Sequence, residues 1–309
     1  MRSVSRSWIE LAVAVDNEAV EAVSAMFQRF AHGGVVIDYQ SEPGAEVAWN
    51  EPVRVVESAP VLVRGFVPAT RDGRRRTKLL EEALWHLRQI WPIPDLVTRT
   101  VEEDDWAHAW KDHFFVHRIG RDFVICPTWR EYEASLTDRI IILDPGMAFG
   151  TGLHPTTRLC LGALEDAVKP GARVADVGTG SGILAIGAAR LDASRVDAID
   201  IDEVAVDAAR SNFALNNLSA VASVRRGVAS DLNPGAYDVV VANIIARVIL
   251  DAAEVLTALP RVGGTLICSG ILAERIDEVA TALEARGLAA IQIAAEGDWR
   301  AIVGRVGPM

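Results

Sequence analysis

Apolar and polar positions alternate from Trp8 to Val15, the two-residue period of a half-buried strand. The period then lengthens: from about Asn17 to Phe30 the spacing predicts a helix with Ala22, Met26 and Phe30 on one face, ended by Gly33-Gly34. Val35 to Tyr39 reads as a short apolar strand, and Val61 to Val67 as another after a polar stretch containing Pro and Gly. Arg71 to Lys78 concentrates five cations and reads as a solvated loop rather than an RNA contact. Beyond it, Leu79, Leu80, Ala83, Leu84, Leu87 and Ile90 keep helical spacing, and Leu96 to Val101 closes the set as a strand. The order β-α-β-β-α-β predicts a ferredoxin-like α+β domain over residues 1–101. It contains neither a nucleophile motif nor a phosphate loop, so binding is its expected task.

An acidic run, Glu102 to Asp105, precedes Trp106, Trp110 and Phe114 at four-residue spacing, which predicts a linker and helix over 102–120. His113 and His117 share a face of that helix, but a zinc site needs further ligands that the neighbourhood lacks, so no metal is expected. From Pro155 onward strands alternate with helices within a second domain, 121–309. Strands are expected at Arg173–Val177, Arg195–Ile201, Ala222–Arg226, Asp238–Ala242 and Thr265–Ser269. Helices are expected after Gly182 and at Glu203–Asn216, Arg247–Leu259 and Ala273–Arg286. This is a doubly wound α/β sheet. Leu288–Ala295 and Trp299–Val306 are joined through Gly297-Asp298, a hairpin too short for a parallel crossover, so the last strand runs antiparallel.

Composition narrows the function classes. The 309 residues suffice for two cores at about 150 residues each. Half of them are apolar, yet the greasiest stretch, Val239–Leu250, is interrupted by Asn243 and Arg247 and is too short to span a membrane. The apolar run behind the arginines of Met1–Ser7 is short, reaches Glu10 and offers no convincing small-residue cleavage site, so no leader and a cytoplasmic protein are expected. With 31 basic against 42 acidic side chains the net charge is −11, which disfavours nucleic acid as the main ligand and favours basic partners. Three widely spaced cysteines suggest neither disulfides nor a zinc ribbon.

Candidate chemistry collects at strand ends. Asp176-Val177-Gly178-Thr179-Gly180-Ser181-Gly182 joins the first strand of the sheet to a helix. Its spacing is G-x-G-x-G and not G-x-G-x-x-G, which weakens a pyrophosphate reading. Asp176 suits an ammonium group, and the glycines permit close approach to the backbone. Asp200 ends the next strand, where a carboxylate accepts both hydroxyls of a ribose; Asp202 competes for that role but also reads as a helix cap. Asn243 ends the fourth strand, where its side-chain carbonyl and the Ile244 backbone carbonyl suit the N–H groups of an amine. No aromatic platform for a flipped base follows it, which points to an aliphatic amine.

These strand ends and the antiparallel last strand resemble the class I methyltransferases. The loop Asp144-Pro145-Gly146-Met147-Ala148-Phe149-Gly150-Thr151-Gly152-Leu153-His154-Pro155-Thr156-Thr157 is similar to the signature of the ribosomal protein L11 methyltransferases, the PrmA family. Asp105-Trp106, Trp110-Lys111, Asn243-Ile244-Ile245-Ala246 and Ser269-Gly270-Ile271-Leu272 resemble it too. The resemblance implies a cytoplasmic enzyme using S-adenosylmethionine to methylate lysine ε-amino and N-terminal α-amino groups of ribosomal protein L11. It implies cofactor contacts at Thr157, Gly178, Asp200 and Asn243, with Phe149 in the loop beside the cofactor and Asn243 as the catalytic residue. Asp176 and Gly180 join the cofactor set from the glycine turn, and His154 is a candidate base. A monomer is expected. The alternatives are a methyltransferase of another protein or small amine, a non-catalytic S-adenosylmethionine sensor, and a NAD-dependent oxidoreductase, which leaves the final hairpin and the loop at 144–157 unexplained.

Overall fold

The computed structural model describes residues 7–16, 19–31, 35–39, 61–89, 91–102, 116–143 and 154–307. The chain divides into two compact units, Met1–His113 and Phe114–Met309.

The first unit contains strand β1 (Ser7–Val15), helix α1 (Val20–Phe30), β2 (Val35–Tyr39), β3 (Val61–Pro68), α2 (Arg71–Arg88) and β4 (Val97–Glu102). Its sheet has the order β2-β3-β1-β4 with every neighbouring pair antiparallel. Alternation does the sorting: Leu11, Val13 and Val15 of β1 and Val61, Val63 and Val67 of β3 point into one core. Helix α1 covers that core with Val20, Val23 and Phe27, an i, i+3, i+7 stripe. Met26 and Phe30, expected on one apolar face, are partly buried and pack against this core.

The basic segment is helix and not loop. Thr70 caps α2, its Oγ1 accepting the Gly73 N–H at 3.2 Å, while Asp72 in the first turn accepts from Arg75 and Arg76. Local capping overrides the charge density on which the loop reading rested.

The second unit begins with a small sheet, β5 (His117–Ile119), β6 (Phe123–Pro127) and β7 (Arg139–Leu143), in which β5 and β6 are antiparallel and β6 and β7 parallel. His117 therefore lies on a strand and not on a helix face; His113 and the tryptophans at 106 and 110 fall outside the described residues.

Next come α3 (Pro155–Ala167), β8 (Arg173–Val177), α4 (Ile183–Arg190), β9 (Arg195–Asp200), α5 (Glu203–Leu215), β10 (Ala222–Arg226), β11 (Tyr237–Asn243) and α6 (Ala246–Asp251). They are followed by α7 (Ala253–Ala258), β12 (Pro260–Leu272), α8 (Ile276–Glu284), β13 (Leu288–Glu296) and β14 (Trp299–Val306). The seven-stranded sheet has the order β10-β9-β8-β11-β12-β14-β13. Strands β8 to β12 are parallel, and β14 runs antiparallel to both neighbours. The helix expected at 247–259 is broken at Ala252 into α6 and α7, and a 3-10 turn at Ala273–Arg275 precedes α8.

Both faces of this sheet are covered. Val239 and Val241 of β11 join one core with α3, α4 and α5, while Val240 and Ala242 join the other with α6, α7 and α8. A strand buried on both sides reads as an unbroken apolar run. Its direction of winding reverses between β8 and β11, which opens a crevice beyond their carboxyl ends.

Candidate functional site

The glycine turn leaves β8 at that crevice. Gly178, Gly180 and Gly182 have φ of +74°, +55° and +83°, the left-handed region that side chains disfavour. The N–H groups of Gly178 and Thr179 both donate to the Ile199 carbonyl, at 2.9 and 3.0 Å, which ties the turn to the end of β9. The space in front of two of these glycines is filled by the chain itself. A Cβ on Gly178 would stand 2.4 Å from Ile244 Cγ2, and one on Gly182 would stand 2.7 Å from the Phe213 ring. The sequence reading expects a ligand to approach these glycines; at Gly178 and Gly182 the atoms that stand closest are the chain's own.

Asp200 ends β9 with its carboxylate held by the backbone: Oδ2 accepts from Gly180 N–H at 2.9 Å and Oδ1 from Asp202 N–H at 3.0 Å. Each oxygen retains a lone pair, so the fixed group can still receive two hydroxyls. Asp202 instead caps α5, accepting the Val204 N–H at 2.9 Å. The two acids thus differ in what they hold: Asp202 the first turn of α5, Asp200 the glycine turn.

Asp176 lies wholly inside the fold. Its Oδ2 accepts from Thr179 Oγ1 at 2.7 Å and from Ala185 N–H at 3.1 Å, which braces the turn against the start of α4. Among the described residues its Oδ1, also buried, has no partner. Burial pushes its carboxyl up to about 7, well above the ordinary aspartate range.

Opposite the turn, Asn243 ends β11 and its Nδ2 meets Thr157 Oγ1 at 3.4 Å. Thr157 is buried in the first turn of α3, which starts at Pro155 and is capped by His154. His154 Nδ1 accepts the Thr156 N–H and lies 2.8 Å from Thr156 Oγ1, while its ring stands edge-on to Trp299, with centroids 4.8 Å apart. Burial, and then the charge of Arg158, lower the imidazole to about 4, so it is neutral at physiological pH. Arg158 also pairs with Glu296, its Nε donating to Oε1 at 2.7 Å. The end of β13 and the start of β14 are thus joined to α3.

The structure therefore brings Thr157 to Asn243, Gly180 to Asp200 and Gly178 to Ile244, all at the carboxyl edge. Phe149 and the rest of the loop through residue 153 lie outside the described residues. Two contributors carry no role in the sequence reading: Trp299, and Gly270, where a Cβ would stand 2.3 Å from the Ile244 carbonyl oxygen. The signal for Gly270 was a glycine inside a strand, the mark of a bulge or a close backbone approach. Among the described residues no group of three metal-ligating side chains occurs, and no helix is long and apolar enough to cross a membrane.

Comparison with known proteins extends these observations over almost the whole chain. The family model described as ribosomal protein L11 methyltransferase (PrmA) matches residues 7–306. A ribosomal protein L11 methyltransferase of Chloroflexus aurantiacus is 41% identical over 97% of this chain and 98% of its own length. One of Bacillus subtilis is 39% identical over 96% of this chain and 99% of its own. Among solved structures, a ribosomal protein L11 methylase from Lactobacillus delbrueckii subsp. bulgaricus is 35% identical with a TM-score of 0.58, over 63% of this chain and 100% of that one.

Proposed function

The chain belongs to the ribosomal protein L11 methyltransferase family, and on that premise we propose that it methylates amino groups of ribosomal protein L11, lysine ε-amines and the N-terminal α-amine, using S-adenosylmethionine. The observation that carries this reading is the pairing of Asn243 with Thr157 across the crevice from Asp200 and the glycine turn.

The residues suit that cofactor. The Asp200 carboxylate is oriented by two backbone donors and keeps acceptor capacity for the ribose hydroxyls. The orphaned Oδ1 of Asp176 is an acceptor that an ammonium group would satisfy. Gly178, Gly180 and Thr157 would line the remainder, with Phe149 beside it from the loop.

When bound, S-adenosylmethionine supplies a methyl group on a positively charged sulfur, which a neutral amine attacks directly. The chain's own work is alignment. With its Nδ2 turned to Thr157, Asn243 presents its carbonyl oxygen to the amine, and Ile244 contributes a backbone carbonyl one residue on. His154, neutral and engaged as a helix cap, holds the end of the loop and leaves the amine proton to solvent. A lysine ordinarily titrates near about 10.4 and an α-amine near about 8, so turnover rises with pH along the substrate amine.

Residues 1–101 act as a ferredoxin-like recognition domain in this reading, 102–120 as the linker and 121–309 as the catalytic domain, within a cytoplasmic monomer. The test is the intact mass of unmethylated ribosomal protein L11 after incubation with the enzyme and S-adenosylmethionine. Stepwise methyl additions are expected, slowed about a hundredfold in Asn243→Ala. No added mass, with the cofactor still bound, would remove the substrate from this reading.

A further inference from the structure

Gly270 interrupts β12 in a bulge: the register against β14 shifts between Ser269 and Ile271, and its φ is +86°. A Cβ there would stand 2.3 Å from the Ile244 carbonyl oxygen, 2.8 Å from its carbon and 3.3 Å from its nitrogen. From the other side, the position of a Gly178 Cβ is already taken by Ile244 Cγ2, 2.4 Å away. The Ile244 N–H donates to the Ser269 carbonyl at 3.1 Å, and Ser269, fully buried, donates its hydroxyl to the Arg300 carbonyl at 3.0 Å. The Ile244 carbonyl accepts no hydrogen bond among the described residues. Ile244 is thus wedged between Gly178 of the turn after β8 and Gly270 of β12, with its N–H tied down and its carbonyl oxygen accepting no hydrogen bond among the described residues.

We infer that Gly270 is a positioning residue for methyl transfer: its missing side chain lets the bulge of β12 seat the Ile244 carbonyl, and through the preceding peptide the Asn243 amide, against the acceptor amine. Gly270 itself touches no reactant in this arrangement. The inference rests on the proposed amine methylation. It predicts loss of alignment, and so of kcat, when the wedge is disturbed, because a displacement of about 1 Å can cost a hundredfold in rate.

Gly263, in the same strand, supplies the control. Its φ is +77°, yet nothing lies within 4 Å of a Cβ placed there, so Gly263→Ala carries the backbone strain without the collision. Gly270→Ala is expected to lower kcat on ribosomal protein L11 at least tenfold, with the KM for S-adenosylmethionine within about threefold, while Gly263→Ala keeps both. Hydrogen exchange at the Ile244 amide should quicken at least tenfold in Gly270→Ala only. That readout is independent of any substrate, so a wild type inert toward ribosomal protein L11 would overturn the functional reading and leave the positioning role to be decided by exchange alone. Unchanged exchange, or a kcat no lower than that of Gly263→Ala, would overturn the positioning role. Should Gly270→Ala fail to fold, Ile244→Gly removes the wedged side chain without adding atoms. It must then lower kcat and speed exchange in the same way, and an unchanged kcat sinks the inference.

Discussion

Asp200 and Asp202 stand two residues apart and both accept backbone N–H groups, yet their surroundings assign them different tasks. Asp202 satisfies the first turn of α5, where loss of a cap costs about 1 kcal/mol. Asp200 is braced by the N–H groups of Gly180 and Asp202 and keeps acceptor capacity to spare. Asp202→Ala should therefore lower the melting temperature and leave cofactor affinity unchanged within a few-fold. Asp200→Ala should weaken S-adenosylmethionine binding about tenfold to a hundredfold by calorimetry, the worth of one charge-assisted hydrogen bond. Both acids were visible in the sequence. What chose between them was the direction of one side chain, which depends on where the Gly180 N–H ends up. The glycines of the turn carry the same lesson: their need for positive φ is legible in the motif, but Phe213 and Ile244 as the atoms behind them are not.

Helix α2 shows how an element can hide behind its charges. Gly73 is pressed so tightly on the end of β3 that a Cβ would stand 1.8 Å from the Pro68 carbonyl oxygen. The basic residues at 71, 74, 75 and 78 are exposed, whereas Gly73, Thr77, Leu80 and Leu84 are buried. Gly73→Ala should consequently destabilise the N-terminal unit by about 2 kcal/mol or more, a larger loss than the helix-propensity gain of an alanine can offset. Far-UV melting of the full chain checks this, and an unchanged or raised midpoint would refute it. At the same scale, the hydrophobic pattern does not distinguish β6 and β7, although Phe123–Pro127 and residues 140–143 are apolar runs. Runs this short without a period look alike as strand or buried helix, and only parallel pairing between them decides.

At the scale of the whole molecule, the buried Asp176 makes stability depend on pH. Its carboxyl is raised to about 7 by burial, so the folded state holds a proton that the unfolded chain releases near 3.8. The contribution is fully present below about pH 4 and is lost as pH rises through about 7, on the order of a few kcal/mol. His154 works in the opposite sense: its lowered value keeps stability above about 6.5 that fades as pH falls through about 4. Because the two slopes oppose each other, the ligand-free Asp176→Asn variant should leave the His154 slope uncompensated and gain stability more steeply than the wild type as pH rises from about 4 to 6.5 in urea titrations. Parallel curves would mean that Asp176 is not the group responsible. The net charge of −11 acts over a longer range, favouring encounter with a basic substrate at low ionic strength.

Periodicity, turn chemistry and strand-end residues are local properties, and they are enough to give the four-stranded and seven-stranded sheets, the antiparallel last strand and the places of Asp200 and Asn243 at strand ends. They suffice because a strand buried on both faces must be apolar throughout, and because its polar residues can then stand only at its ends. Which partners those ends acquire is a matter of register between strands far apart in sequence. Asn243 meets Thr157 across 86 positions, and Gly270 reaches Ile244 only because a bulge shifts β12 against β14. A contact of that kind is made by packing after the elements exist, so no local pattern encodes it; the tertiary structure alone decides it.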